Sequence, residues 1–481
     1  MKTDSVSRVE QWAKKQWGEA VLGDARRTAR AVKLGAALAR QPDSSLPKET
    51  GSWADLKGAY RLLNEPDVTY EALARPHWEA TREMASWPNQ GVLLFVQDQT
   101  VFSFNHHPAT VGLGNIGDHR QNVFGQAKQG FLMHDCLAVQ PEHPSGVLGL
   151  AHATVWTRQH ALRQENDQDR LKRQYRGETE AALWAQTLLA IGQAPSPESG
   201  TTWVSVGDRG SDIFDYVQTA RGLGWHVLLR VNQNRLVALS DGRSTHLKET
   251  AEQLTNSTSF DLDLRARPNQ PARTAHCLVA YSRLSLLPPR HALKKGHPFR
   301  DLIGGTLIRV VEQHPAEGVQ PIKWLLFTTL PVKSPGQALE IVRWYTLRWL
   351  IEEYHKCLKT GCAMEERQLQ TAAGLETLLG FLSIVAVLLL QLRQQSRTNP
   401  NQPAHDQIPG ELVRLVAAHL NRPASTLTTL QFWRGTAGLG GFLGRKKDGL
   451  PGWQTVWRGW LLRLLDMAYG AELLTRGEKC G

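Results

Sequence analysis

Short, almost continuously apolar runs occupy the middle of the chain and predict the strands of a buried sheet. Each run is rich in β-branched and aromatic residues, and several end at a glycine or an acid, as buried strands commonly do. The predicted strands are VLLFVQDQTVFSF (92–104), GFLMHDCLAVQ (130–140), VLGLAHATVWT (147–157), TTWVSVGDRGSD (201–212) and WHVLLRV (225–231). A helix over 213–222 follows the fourth run. The pattern therefore predicts an α/β architecture.

Helical spacing of apolar residues dominates both ends of the chain. Residues 1–70 have few helix breakers between Gln11 and Arg40, and residues 371–393 and 450–475 are amphipathic or wholly apolar. GQALEIVRWYTLRWLIEEYHKCLKTG (336–361) predicts one long helix, with Pro335 before it and Gly361 as a stop. Residues 232–335 contain several short β-like runs and little helical periodicity, so they predict a β-rich insertion.

The longest uncharged apolar stretch does not predict a membrane span. It covers Thr377–Leu392, which is 16 residues. A transmembrane helix needs about 20 residues, so a buried helix is the better interpretation. The N-terminal sequence MKTDSVSRVEQ has no apolar segment of the secretory kind. We expect no membrane association.

The composition of the chain indicates the kind of partner that it binds. The 481 residues include 56 Lys and Arg against 45 Asp and Glu, a net charge of +11 with a pI near 9.5. Such a surface attracts polyanions, nucleic acid first and a membrane surface second. Five cysteines without a CxxC pair argue against a disulfide framework or a cysteine zinc site and fit a reducing compartment. A hydrophobic content of 41% excludes global disorder.

One N-terminal segment carries a predicted cationic stripe. On an ideal helix, Arg26, Arg30 and Lys33 fall within about 60° of one another. Small residues (Ala25, Ala29, Val32, Ala36 and Ala39) fall on the opposite side and predict a packing stripe. The cationic side is either a DNA-contacting surface or an ordinary solvated face, and the basic charge of the chain favours DNA contact.

Three separated acids suggest metal chemistry. Asp98 lies inside an apolar strand, Asp208 follows Val204–Val206 at a strand end, and Glu352 lies in mid-helix. Two strand acids and one helix acid suit two-metal phosphoryl transfer, because Mg²⁺ or Mn²⁺ prefers carboxylate oxygens. The alternative to a metal site is that Asp98 and Asp208 are ordinary acids at strand ends and that Glu352 is a surface acid on a helix. Spacing alone leaves Asp212 or Asp215 open as the second acid, and Glu353 as the third, although Glu353 lies about 100° off the face of Glu352.

The helix of Glu352 also carries a fixed pattern of polar residues. Tyr345, Arg348, Glu352 and Lys359 share one face within about 60° of arc on an ideal helix. An acid with two cations and a phenol suits a surface that faces phosphate, where the acid holds a metal and the cations meet phosphate oxygens.

The chain resembles the IS4-family cut-and-paste transposases of the Tn5 type. The strongest evidence is the Y-x2-R-x3-E-x6-K pattern, which Tyr345, Arg348, Glu352 and Lys359 all match. Further similar segments are WAKKQWGEAVLGDARRTAR (12–30), WADLKGAYRLLNEPDVTYEAL (53–73), QDQT (97–100), GDRGSDIFD (207–215), WLLFTTLPV (324–332) and GGFLGRKKDGLPGW (440–453).

The resemblance implies a fold and an architecture. The fold class is α/β, an RNase H-like mixed sheet flanked by helices, with an all-β insertion before the last catalytic helix and helical N- and C-terminal domains. The domains implied are a DNA end-binding domain at 1–70, a catalytic domain at 71–370 with the insertion at about 232–335, and a C-terminal domain at 371–481. The final helix (455–474) either supports dimerisation or packs against 371–393.

The resemblance also implies an activity and its residues. Asp98, Asp208 and Glu352 match the catalytic DDE triad, which binds two Mg²⁺ (or Mn²⁺) ions. Arg26, Arg27 and Arg30 match the end-recognition helix, and Trp324 matches a tryptophan that stacks on a flipped base during hairpin formation. Tyr345, Arg348 and Lys359 contact DNA phosphates. The expected partners are double-stranded DNA and a second copy of the chain in the synaptic complex, in the nucleoid of a bacterial cytoplasm.

Two other functions share parts of this pattern. A two-metal nuclease uses the same carboxylates but never joins DNA ends. A DNA-binding inhibitor of transposition needs no catalysis at all. Strand transfer in vitro separates the first alternative from a transposase, and metal-dependent cleavage separates the second.

Overall fold

A mixed twelve-stranded sheet forms the centre of the fold. The structure is a computed structural model that describes residues 8–116, 128–142, 146–157, 179–264, 272–289, 301–315, 317–445 and 448–477. The strands are β1 (Gly91–Ser103), β2 (Gly114–Asn115), β3 (Gln129–Val139), β4 (Val147–Trp156), β5 (Thr201–Gly207), β6 (His226–Arg230), β7 (Leu236–Leu239), β8 (Ser244–His246), β9 (Thr258–Leu264), β10 (Arg273–Leu286), β11 (Ile303–Glu312) and β12 (Lys323–Thr328). Each of the five predicted central strands is present within a few residues of its predicted limits.

The order of the strands places β1 in the interior of the sheet. Neighbours run β2-β3-β1-β5-β6-β12-β11-β10-β7-β8, while β4 pairs with β3 and β9 pairs with β10. β1 is antiparallel to β3 and parallel to β5, and β5 is parallel to β6. Leu93, Leu94, Phe95 and Val96 are all buried, and alternate residues enter two separate cores on the two faces of the sheet. Helices on both faces explain why β1 reads as a continuous apolar run.

The insertion continues the central sheet and is not entirely β. Strands β7 to β11 follow β6 along the chain, and β12 then returns to pair with both β11 and β6. One helix, α8 (Leu247–Gln253), interrupts the insertion. The prediction of an all-β insertion was therefore wrong at this helix, although the β-rich character of 232–335 is confirmed for the described residues.

The remaining helices surround the sheet and form the two ends of the chain. They are α1 (Arg8–Trp17), α2 (Ala25–Arg40), α3 (Leu46–Thr50), α4 (Trp53–Leu63), α5 (Tyr70–Ala85), α6 (Ala182–Ile191), α7 (Phe214–Gly222), α9 (Pro335–Thr346), α10 (Trp349–Lys356), α11 (Ala372–Gln395), α12 (Gly410–His419), α13 (Thr429–Leu439), α14 (Trp453–Gly459) and α15 (Leu465–Gly477). Two π-helical segments, Cys357–Gly361 and Trp460–Leu464, extend α10 and join α14 to α15.

Helix α2 buries most of the predicted small-residue stripe. Ala36 and Ala39 are buried and Val32 is half-buried, whereas Ala25 and Ala29, nearer the start of the helix, are exposed. The ring of Trp17 lies against Gly35, where a Cβ atom would clash with it. Leu34 and Leu38 are buried as well and widen the packed face.

Helix α11 is the core helix of the molecule. By length and composition it could cross a membrane, but 83% of its most apolar window is buried inside the fold. It packs against α5, β4 and α14 among other elements. The interpretation of this stretch as a buried helix is confirmed.

The predicted long helix over 336–361 is interrupted twice. Between α9 and α10 the backbone makes tighter i to i+3 hydrogen bonds, such as Arg348 N–H to the Tyr345 carbonyl at 3.1 Å. After α10, the Cys362 N–H donates to the Cys357 carbonyl at 2.8 Å, an i to i+5 bond that defines a π turn. The prediction of one long helix was therefore wrong at the turn between Thr346 and Trp349 and at the π segment, although the segment is helical on both sides of that turn.

Candidate active site

Two acids lie side by side just beyond the point where the parallel pairing of β1 and β5 ends. The last residue pair between β1 and β5 is Val96 with Val206, and Asp98 and Asp208 each lie two residues further on. Side chains alternate along a strand, so equal offsets place both acids on the same side of the sheet edge. Asp208 accepts a hydrogen bond from the Gly210 N–H at 2.7 Å, which fixes its carboxylate at the start of the turn after β5. The carboxyl edge of parallel strands is where α/β folds place ligands.

Arg348 connects the first acid to the third. Its Nη1 lies 3.1 Å from Asp98 Oδ2, and its Nη2 lies 2.9 Å from Glu352 Oε1. The Arg348 side chain is 14% exposed, that of Asp98 is 18% exposed and that of Glu352 is 39% exposed. One planar guanidinium thus holds a strand acid and a helix acid together through charge-assisted hydrogen bonds.

The electrostatics of Asp98 are those of a partly desolvated carboxylate. Burial raises its pKa to about 6, and the negative charge of Asp208 adds to the rise. The positive charges of His355 and Arg348 and a hydrogen bond from the Gln99 N–H oppose it. Perturbed carboxylates of this kind are concentrated at functional sites.

The chemistry of the donor set fits hard divalent cations. Asp98, Asp208 and Glu352 offer carboxylate oxygens, the ligands that Mg²⁺ and Mn²⁺ prefer. As the side chains stand, no three acidic, imidazole or thiol groups among the described residues converge on one ion-sized position. The Arg348 guanidinium lies between Asp98 and Glu352 and provides the cation there.

The alternative acids have other partners. Asp212 accepts hydrogen bonds from the Asn232 and Gln233 N–H groups at 2.7 and 2.6 Å, and it pairs with Arg235. Glu353 forms an ion pair with Arg393 of α11. These contacts make Asp212 the anchor of the segment after β6 and Glu353 an anchor of α10. Asp215 lies in the first turn of α7, seven residues beyond Asp208.

The four residues of the predicted polar face lie on different sides of the breaks in the 336–361 helix, but three of them remain neighbours. Tyr345 lies before the first break and is buried, with its ring 5.5 Å from that of Trp324 in an edge-on arrangement. Lys359 lies in the π segment, with Nζ 5.7 Å from the centre of the Phe102 ring. Arg348 is in direct contact with Glu352 and lies next to the Tyr345 phenol. Burial raises the pKa of Tyr345, while Arg348 and Arg230 oppose that rise, so the phenol faces this cationic pair.

The predicted end-binding arginines differ in how they are held. The Arg26 side chain is 92% exposed and contacts Asp24 at the start of α2. Arg27 pairs with Glu65 and Asp67, both at 2.8 Å, whereas Arg30 lies 3.4 Å from Asp55. All three are on the surface of the N-terminal helices, and Arg26 is the most accessible of them.

The sequence reasoning missed a buried pair beside the acids. Asp135 on β3 is fully buried and accepts from His355 Nε2 on α10, at 2.9 Å from Oδ2 and 3.2 Å from Oδ1. An adjacent buried chain joins His134, Gln97 and Ser205 through hydrogen bonds of 2.9 Å. The histidine and aspartate inside the apolar run GFLMHDCLAVQ were the available signal, since buried polar groups need partners.

Comparison with known protein families separates the chain into two matched regions. Residues 9–68 match the family model described as Transposase DNA-binding, and residues 177–388 match the one described as Transposase DDE domain. The first match contains Arg26, Arg27 and Arg30. The second contains Asp208 and Glu352, while Asp98 precedes it and joins the site through strand pairing and Arg348. The predicted fold class is confirmed, because the mixed α/β sheet with its flanking helices is consistent with an RNase H-like DDE domain.

Proposed function

We propose that this DNA transposase, which carries a transposase DNA-binding domain and a DDE domain, moves its element by cut-and-paste chemistry. We assign it to the IS4 family and the Tn5 type on its Y-x2-R-x3-E-x6-K pattern. The observation that carries the proposal is the grouping of Asp98, Arg348 and Glu352 in one hydrogen-bonded unit, next to Asp208 at the carboxyl end of β5.

Asp98, Asp208 and Glu352 are the residues that would hold two Mg²⁺ or Mn²⁺ ions. DDE transposase domains generally depend on divalent metal. When bound, such ions activate a water or a 3′-hydroxyl and stabilise the leaving oxygen. Asp98 and Asp208 belong to adjacent strands of a rigid sheet, and Glu352 reaches them from α10. This arrangement supports two ligands from the sheet and a third from the facing helix.

The neighbouring cations and rings suit a DNA strand at this edge of the sheet. Arg348 and Lys359 bind phosphates near the scissile bond, and Tyr345 donates a hydrogen bond to one of them. Trp324 lies edge-on against Tyr345, and its proposed role is to stack on a base that leaves the duplex. Base stacking on an aromatic residue contributes about 1–3 kcal/mol.

The proposed reaction begins with hydrolysis of one strand at each element end. The freed 3′-hydroxyl then attacks the opposite strand to form a hairpin, which is reopened before the 3′ ends join target DNA. The exposed arginines of α2 bind the element ends, and two copies of the chain hold the two ends together. The C-terminal helices α14 and α15 are the proposed dimer contact.

The test is to incubate the purified chain with its own element ends and Mg²⁺, and to resolve the DNA products. A transposase yields nicked, hairpin and joined products. A nuclease yields cleaved DNA without joined products, and a non-catalytic inhibitor yields none of the three.

The Glu352→Ala variant tests the assignment of the third acid. It should bind element ends as the unmodified chain does and lose cleavage, because a ligand from α10 is gone. Nicking at the normal rate by this variant would show that Glu352 is not the third acid.

A further inference from the structure

A fourth carboxylate lies beside the three predicted catalytic acids. Asp135 on β3 is paired in register with Asp98 on β1, and residues directly opposite in an antiparallel pair have their side chains on the same face. Asp135 is fully buried. A buried carboxylate is costly unless a cation or hydrogen-bond donor compensates it. The partner of Asp135 is therefore a required part of the structure.

That partner comes from the helix that carries Glu352. His355 lies three residues after Glu352 and contacts both oxygens of Asp135 through Nε2, at 2.9 and 3.2 Å. Its side chain is 12% exposed. Residues three apart lie one above the other on a helix, so His355 and Glu352 face the same side of α10.

The opposite side of α10 is anchored as well. Glu353 pairs with Arg393 of α11, and both side chains are largely buried. Residues 353 and 355 are about 200° apart around a helix, which places the two anchors on opposite sides. One anchor ties α10 to the sheet and the other ties it to the core helix, so together they resist rotation of α10 about its axis.

The electrostatics of His355 agree with its pairing to Asp135. Burial lowers the pKa of His355, but the charge of Asp135, its hydrogen bond and the charge of Asp98 outweigh burial and raise it. Lys359 opposes the rise. The imidazole of His355 thus contacts Asp135 directly and also interacts with the charge of Asp98.

We propose that Asp135 and His355 are positioning residues of the DDE reaction, which fix the rotation of α10 and thereby hold Glu352 beside Asp98. This inference rests on the proposed function. The pair touches neither DNA nor the reacting atoms; it acts through the helix that presents Glu352. Partners that orient metal ligands in this way typically change metal affinity or activity by about 10–100-fold when they are removed.

The experiment compares three variants at the pair. His355→Leu removes the donor and leaves Asp135 buried alone, His355→Gln retains an N–H donor at similar reach, and Asp135→Leu with His355→Leu removes both polar groups. For each, we would measure melting temperature, end binding without metal, Mn²⁺ binding by calorimetry, and the single-turnover nicking rate on bound ends.

If the pair positions Glu352, the variants should affect melting temperature and nicking rate separately. His355→Leu should weaken Mn²⁺ binding and slow nicking by about 10–100-fold, with unchanged end binding. The double variant should regain melting temperature, because no uncompensated charge remains buried, but it should regain neither Mn²⁺ affinity nor nicking. His355→Gln should retain most of both.

Other outcomes overturn the proposal. If Mn²⁺ affinity and nicking return with melting temperature in the double variant, the pair serves stability alone. If His355→Leu nicks and binds Mn²⁺ normally, the pair has no influence on Glu352. The matched control is Arg273→Leu, which breaks the buried Arg273–Glu312 pair between β10 and β11 and should lower melting temperature without slowing nicking. Glu352→Ala in the same series tests the proposed function separately, since its nicking depends only on the identity of the third acid.

Discussion

A buried glutamate in the region that matches the Transposase DNA-binding model contacts the segment that follows α10. Glu49 of α3 accepts hydrogen bonds from Arg367 at 3.0 and 3.1 Å. Arg367 also donates to the Cys362 carbonyl, directly after the π segment that contains Lys359. Burial raises the pKa of Glu49 to about 7, although the charge and hydrogen bonds of Arg367 act against the rise. This contact is suited to a test by pH, with Glu49→Gln as the perturbation.

The sign of the effect follows from proton binding. The ordinary pKa of a glutamate is 4.5, so the unfolded chain releases this proton at lower pH than the folded chain. Between pH 4.5 and 7 the folded state holds more protons, and the free energy of unfolding therefore falls as pH rises. A rise of this size corresponds to about 3 kcal/mol, because each pKa unit is worth about 1.4 kcal/mol. A glutamine does not titrate, so the Glu49→Gln variant does not lose this stability as the pH rises.

The assay is the melting temperature of both proteins from pH 5 to pH 8. For a chain of this length, about 1 kcal/mol shifts the melting temperature by about 1–2 °C. The melting temperature of Glu49→Gln minus that of the unmodified chain should therefore become more positive by about 3–6 °C across this range. Glu71→Gln serves as the control, because Glu71 is exposed and pairs with Arg75 on the surface of α5. A difference for Glu49→Gln that is the same at every pH would refute the reasoning.

Three further predictions concern the DNA reaction. Arg348→Lys should slow single-turnover nicking by about tenfold or more with end binding unchanged, because an ammonium lacks the planar fork that contacts Asp98 and Glu352 together. Equal nicking rates would contradict the bridging role of Arg348. Trp324→Ala should reduce hairpin formation by about 5–100-fold and spare the first nick, in line with the free energy of base stacking, whereas Trp324→Phe should retain most of the hairpin formation. Normal amounts of hairpin product from Trp324→Ala would exclude the stacking role. Arg26→Ala and Arg30→Ala should each weaken end binding and lower its salt slope by about one, measured by gel shift at several salt concentrations; an unchanged slope would place that arginine outside the interface.

Sequence reasoning succeeded where the signal was local. A buried strand that carries or ends in an acid is visible in VLLFVQDQTVFSF and TTWVSVGDRGSD. The structure places Asp98 and Asp208 two residues beyond the last parallel pair of these neighbouring strands. It failed at the 336–361 helix, because neither proline nor glycine marks the break around Arg348 and the apolar spacing continues through it. It also failed to show that the insertion extends the central sheet, since the pairing of β12 with β6 joins segments about a hundred residues apart.

The polar contacts within the site were beyond the reach of sequence patterns for a different reason. The sequence predicted only that Arg348 and Glu352 share one face of a helix. The contact of Arg348 with Asp98 depends on how α10 packs against β1. The Asp135–His355 pair depends on the register between β1 and β3, which no single strand encodes. Register is set by the pairing of whole strands, and a slip of one residue would turn Asp135 to the other face.

That register explains why this edge of the sheet should attract divalent cations. Asp98 lies between Asp135 on one neighbouring strand and Asp208 on the other, and Glu352 approaches from α10. The guanidinium of Arg348 contacts two of these carboxylates, Asp98 and Glu352, and the imidazole of His355 contacts Asp135. Carboxylates in a partly desolvated site attract an incoming cation more strongly than they would in bulk water. Because His355 is already the partner of Asp135, the carboxylates available to a cation are Asp98, Asp208 and Glu352, the three side chains that we propose hold the metal ions.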